Sequence, residues 1–151
     1  MRSTATIAFL LFCSALLAPL GFASEGTSAA NLVNQMGRLQ YFTHKLGLSV
    51  SAKNQALQGF YVHEVEEVVE ELTEVEDFDG IPIGKLVETI LEPALDKLEH
   101  AVKAKDFAAA DAAFDEMLNA CNSCHENANR SYLRIERRTD NPYLQSFDPA
   151  R

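Results

Sequence analysis

The sequence predicts an all-α fold: an up-down-up-down four-helix bundle with an irregular C-terminal tail. Three observations predict it. Four stretches of about twenty residues repeat apolar side chains at spacings of three and four, the period of one helix face. The 151 residues include only seven Gly and five Pro, so long helices with short links suit the chain better than many short strands. A content of 47% hydrophobic and 23% charged residues is that of one globular domain, not of a disordered or collagen-like chain.

Residues 1–23 read as a secretory signal peptide. Met1-Arg2 is a short positive start, and Ile7 to Leu20 is an apolar run broken only by Ser14 and Pro19. Gly21 and Ala23 place small residues at −3 and −1 of a cleavage point before Ser24. Cys13 follows Phe12 rather than a small residue, so the run is not a lipidation site. Cleavage would leave 128 residues and take the net charge from −9 to −10 by removing Arg2. The mature chain is expected in a bacterial periplasm without a stable membrane anchor, its bundle over residues 24–132 and its tail over 133–151.

Segment A, from about Ala29 to Val50, carries Leu32, Met36, Leu39, Leu46 and Val50 on one face. Segment B, from about Ala52 to Glu74, carries Leu57, Tyr61, Val65, Val68 and Leu72. A turn near Ser51 must part A from B, although no Pro or Gly marks it. The turn residues of Glu76 to Gly84 form a connection. Segment C, from about Lys85 to Ala104, contains Pro93 and should be kinked or broken there. Lys105-Asp106 reads as a turn in which Asp106 caps segment D, expected to run to about Tyr132.

The chemistry stands in segment D. Once the leader is removed, Cys121 and Cys124 are the remaining cysteines, in the run Cys121-Asn122-Ser123-Cys124-His125. This is C-x-x-C-H, the attachment signature of c-type haem. Two thiols at this spacing add across the vinyl groups of one porphyrin, and the adjacent His lies under the iron. A redox dithiol would want a βαβ setting and a helix N-terminus. A zinc site would want a second pair of ligands.

With its helices and motif placed, the chain over about residues 29–132 resembles the cytochrome c′ / cytochrome b562-like family. That resemblance implies a four-helix bundle holding one haem near one end, with His125 as the iron ligand and thioethers at Cys121 and Cys124. Asn31-Leu32 and Gln35-Met36-x-x-Leu39 look like the first-helix pattern of the family's low-spin branch, which supplies a Met as second axial ligand. The family often has Arg four residues after the ligand His. Here Asn129 stands there, followed by Arg130, and the tail is longer than usual.

Geometry points to the same partner. Met36 lies about seven residues from the start of A and His125 about seven from the end of D. In an up-down-up-down bundle both are then roughly 10 Å from one pole. Met117 shares the proximal helix and is expected to pack beside the porphyrin. His44, about 12 Å further along A, is expected too high to share that haem. His44 and His63 are each expected at the surface or buried and hydrogen-bonded, and His100 solvated at the far pole. A second metal site from His44, His63 and Glu67 is a further arrangement the spacing permits.

Nine acidic residues fall between Glu64 and Asp79, with no Lys or Arg from Asn54 to Gly84. Such a run is a solvated helix face, or a docking surface for a basic redox partner. Arg130, Arg134, Arg137 and Arg138 form a basic cluster for that run or for haem propionates. The acidic balance excludes a nucleic-acid partner. No catalytic triad, phosphate loop or dinucleotide fingerprint is present, so an enzyme is not expected. The readings left open are a His/Met-ligated haem electron carrier, as monomer or homodimer, a five-coordinate cytochrome c′-type NO- or CO-binding protein, and a haem-free helical metal-binding or redox-disulfide protein.

Overall fold

The structure, a computed structural model, describes residues 25–150, with side chains from residue 31 onward. The expected leader, residues 1–23, lies outside the described residues. Among these the fold is all-helical, with four long helices and no strand beyond a single bridge between Phe78 and Ile81. Helix α1 is Glu25–Ser51 and α2 is Gln55–Thr73. Helix α3 spans 83–103 in three pieces: an α-helical turn Ile83–Leu86, a π-helical turn Val87–Leu91, and a final α-helix Glu92–Lys103. Helix α4 is Phe107–Asn127.

Two links are only three residues long and share one construction. After α1, Lys53 takes a left-handed φ of 54°. Its N–H donates to the Val50 carbonyl and that of Asn54 to the Ser49 carbonyl. After α3, Lys105 has φ 58°, its N–H donating to Val102 and that of Asp106 to Ala101. These are Schellman turns, which satisfy the last carbonyls of a helix. In each, the residue after the left-handed one caps the next helix. Asn54 accepts from the Leu57 N–H and Asp106 from the Ala109 N–H. Segment B therefore starts at Gln55 and not at Ala52.

The kink expected at Pro93 is realised as the π turn. Pro93 has no N–H for the Thr89 carbonyl and its ring crowds that position. One extra residue enters the turn before it, and the Glu92 N–H reaches back five residues to the Val87 carbonyl.

The core is a continuous apolar cluster along all four helices. Leu46, Val65, Val68, Leu72, Leu98, Ala110, Phe114 and Met117 are almost fully buried at its centre. Met117 thus belongs to the bundle core. Helix α1 lies mainly against α2, and α3 mainly against α4.

Helix α4 ends at Asn127, short of the expected Tyr132. Asn129 takes φ 56°, its N–H donates to Glu126, and that of Arg130 donates to His125 at 2.7 Å. The position expected to hold an arginine is thus a left-handed helix stop, where Asn is tolerated. Residues 130–150 form neither helix nor strand, yet they lie on the bundle. Asn122 holds Ile135, and Arg137 is 2.8 Å from both Asp111 and Asp115, with its guanidinium over the Phe114 ring. Gln145 accepts from Lys45 Nζ and the Tyr61 hydroxyl. Phe147 is buried, and Asn54 Nδ2 donates to the carbonyls of Phe147 and Asp148.

Candidate functional site

Helices α1 and α4 and the first part of the tail border a half-open cavity of about 880 Å³, within the size range of small-molecule and cofactor sites. Met36, Gly37, Leu39, His44 and Gly47 contribute from α1, and Phe114, Leu118, Cys121 and His125 from α4. Residues Tyr132 to Arg138, with Tyr143, close it from the tail side. Met36 and His125, placed at one level by the sequence, thus line one space together with Cys121.

Each of these residues is held from outside the cavity. Met36 is half-buried against the core. Its turn of α1 is fixed to the end of α2, where Arg38 Nη1 donates to both carboxylate oxygens of Glu71 at 2.8 and 2.6 Å and Gln35 Nε2 donates to the Glu71 carbonyl. At the other end, Gly47 lets the Phe114 ring come close: a Cβ there would stand 2.6 Å from the ring edge.

His125 is oriented by the tail. Its Nδ1 lies 2.6 Å from the Leu133 carbonyl oxygen. A carbonyl only accepts, so Nδ1 must carry the proton and Nε2 is the unprotonated nitrogen of the neutral ring. Histidines that bind metal are fixed in this way, the second ring nitrogen donating to a carbonyl or carboxylate.

The two thiols differ in setting. Cys121 lines the cavity. Cys124 is half-buried and directs Sγ to the Leu86 carbonyl at the start of the π turn, 3.6 Å away. A bond from Cys124 to a group in the cavity would require its side chain to leave that carbonyl. Burial pushes the Cys121 thiol up to about 12, aided by the neighbouring Cys124, and burial alone pushes Cys124 up to about 11. Redox dithiols have the opposite property, a lowered pKa that supplies thiolate.

His44 lines the same cavity as Met36, because the cavity extends along α1 from Val33 to Gly47, about 21 Å at 1.5 Å per residue. Its Nδ1 meets the Tyr143 hydroxyl at 3.0 Å, while Nε2 is buried without a hydrogen-bond partner. The arrangement of His44, His63 and Glu67 as a second metal site is not formed. His63 faces Glu66 and Glu67 at 4.0 and 3.8 Å, and among the described residues no three His, Cys, Asp or Glu side chains gather as metal ligands. His100 is exposed, its Nδ1 against the Asp96 carbonyl.

The basic cluster divides. Arg137 is committed to Asp111 and Asp115. Arg130 reaches the acidic run at Asp79, 3.9 Å away. Arg134 and Arg138 line the cavity and pair only with tail neighbours, Glu136 and Asp140.

Sequence reasoning missed Gly47, Phe114, Tyr143, Tyr132, Leu133, Ile135 and Glu136 as cavity residues, whereas Arg134, Arg137 and Arg138 are ones it offered as partners for haem propionates. Phe114 shares the helix face of Cys121, which was a usable signal. The tail has no periodicity to read. No family model, curated protein or solved structure matches this chain. Among the described residues, no helix is long and apolar enough to cross a membrane.

Proposed function

We propose that the chain is an exported monohaem c-type cytochrome that carries electrons. Its helices run up-down-up-down, the tail wraps the outside, and one haem is attached covalently through Cys121 and Cys124. His125 is the proximal iron ligand and Met36 the distal one. The observation that carries the reading is that Cys121 and His125 of the C-x-x-C-H run open into one cofactor-sized cavity with Met36, while a carbonyl holds the His125 ring with Nε2 free. The donor set of one imidazole, one thioether and two thiols suits haem and no hard cation.

When bound there, haem supplies a one-electron Fe(III)/Fe(II) couple. The chain's residues do the rest. Leu39, Phe114 and Leu118 keep the cavity apolar, and the tail narrows its opening to water. Arg134 and Arg138 offer cationic partners for haem carboxylates, in place of the family arginine that Asn129 displaces.

The acidic run is the proposed docking surface for a basic redox partner. Glu71, within that run, is bonded to the turn that carries Met36, so acidic charge lies beside the cavity. Charge of one sign at such a place steers association more than it tightens it.

The test is an intact mass together with oxidised and reduced absorption spectra, on protein matured in a host with haem-attachment machinery. One added haem, a mature chain beginning at or near Ser24 and a low-spin spectrum in both states are expected. A bare-chain mass overturns the reading. A high-spin spectrum with attached haem replaces electron transfer by gas binding.

A further inference from the structure

Asn122 is the first residue between the two cysteines. Its side-chain amide is taken up at both ends by one residue of the tail. Nδ2 donates to the Ile135 carbonyl at 2.9 Å, and Oδ1 accepts from the Ile135 N–H at 2.8 Å. Two antiparallel bonds to the same residue fix both its position and its orientation, as a strand partner would. Two residues earlier stands the Leu133 carbonyl, 2.6 Å from His125 Nδ1. Asn122 and His125 are three apart on α4 and therefore share a face. A three-residue stretch of tail, 133–135, is thus laid across that face and held at each end by one of these side chains.

We infer that Asn122 is a positioning residue for His125: by fixing Ile135 it sets the Leu133 carbonyl against Nδ1, which selects the tautomer with Nε2 free and holds the ring plane. This rests on the haem reading, in which Nε2 meets the iron. The tail between Asn129 and Ile135 makes no other side-chain bond to α4 among the described residues; its further ties there are the Leu133 N–H to the Arg130 carbonyl and the packing of Ile135 against the core, so Asn122 is the polar side chain that fixes where the Leu133 carbonyl stands. A stronger donation from Nδ1–H makes the imidazole a better electron donor and favours the oxidised iron. Losing it raises the reduction potential.

The experiment compares full-length wild type, Asn122→Ala, Asn122→Asp and Asn54→Ala, each matured with haem and each also prepared haem-free. Asn122→Asp keeps the acceptor for the Ile135 N–H and loses the donor. Asn54→Ala frees the far end of the tail at Phe147 and Asp148 and reports any effect of general loosening. Two quantities are read: the midpoint potential of the haem-loaded protein, and the ¹⁵N pattern of the His125 ring in the haem-free chain. Removing a residue that orients a metal-bound His typically costs about tenfold or more in metal affinity; a tenfold loss borne by the oxidised iron alone is about 59 mV in a one-electron couple. Asn122→Ala should therefore raise the potential by about that amount, Asn122→Asp by less, and Asn54→Ala not at all. In the haem-free chain, His125 should be the Nδ1–H tautomer in wild type and a mixture in Asn122→Ala. Equal potentials and an unchanged ring pattern in Asn122→Ala overturn the inference, as does an equal shift in Asn54→Ala. If wild type takes up no haem, the functional reading fails, and the ring pattern alone then decides whether Asn122 positions His125.

Discussion

Gly84 and Gly59 offer the same chemical change with opposite expected signs. Gly84 opens α3, where the chain passes against the end of α2, and its N–H donates to the Val75 carbonyl at 2.8 Å. A Cβ there would overlap the Thr73 carbonyl oxygen, lie 2.9 Å from its carbon and sit 3.1 Å from the Val75 oxygen. All three are backbone atoms, so relief requires the end of α2 and the start of α3 to separate. Overpacking of this kind costs about 1–3 kcal/mol, against a helix-propensity gain below about 1 kcal/mol. Gly59 is exposed in the second turn of α2, and a Cβ there meets nothing within 4 Å. Gly59→Ala keeps the gain alone, about 0.5–1 kcal/mol. For a domain of this size 1 kcal/mol moves Tm by about 4 °C. Gly84→Ala should then lower Tm by several degrees and Gly59→Ala raise it by about 2–4 °C, read by helix circular dichroism on heating and by urea midpoints. The distortion also reaches the cysteines, since Leu86, the partner of Cys124, follows two residues later. If Gly84→Ala is as stable as wild type, the close α2–α3 contact is refuted.

Met36→Ala should leave the bundle folded at a cost toward the lower end of 2–5 kcal/mol, because Met36 is only half-buried. It should abolish the charge-transfer band of iron–thioether ligation and admit CO or NO, both visible by absorption, whereas His63→Ala should change neither. Asn54→Ala removes a helix cap and two bonds to tail carbonyls and should cost about 2–3 kcal/mol by urea unfolding. Asp106→Ala removes a cap alone and should cost about 1 kcal/mol. Burial, then the bond to Glu99, raises the Glu66 carboxyl above its ordinary value, while the Lys103 ammonium holds Glu99 below its own. A carboxyl with a raised folded pKa contributes stability at low pH that is lost as pH rises from the ordinary carboxylate range through the folded value. Glu66→Gln should therefore match wild type below about pH 4 and exceed it at neutral pH, and parallel urea curves at both would disprove the assignment.

Much of this was legible in the sequence because it is periodic or local. The apolar stripes gave the four helices, Pro93 marked the place of the π turn, Asp106 announced a cap, and the cysteine spacing pointed to the end of α4. The boundaries that escaped are those where an ordinary residue does a glycine's work. Lys53, Lys105 and Asn129 all sit at left-handed φ, and the two lysines carry no mark of it in their type. Asn54 was the readable signal for the start of α2, being a preferred N-cap with its helix immediately after it. The tail was unreadable for a different reason. Its contacts are single side chains, Ile135, Arg137, Tyr143, Gln145 and Phe147, each meeting a distant helix with no repeat to betray it.

The tail also has a place in time. The three-residue links let α1 close on α2 and α3 on α4 through local contacts, which form early and fast. The tail's bonds from Gln145 to Tyr61 and Lys45 span 84 and 100 residues. Closing a loop of that length costs about 3 kcal/mol more in chain entropy than closing one of three residues, and the residues that make it are synthesised after all four helices. The wall formed by 132–138 is tied to α4 over only 8 to 26 residues, so it closes after the helices but before the stretch around Gln145, and, being held by isolated contacts, it is among the first parts to come away. Before it closes, the helices already hold Cys121, Cys124 and His125 in register while the face of α4 stands open. The order of folding itself leaves an interval in which the proposed haem can be delivered to a site that the tail later narrows.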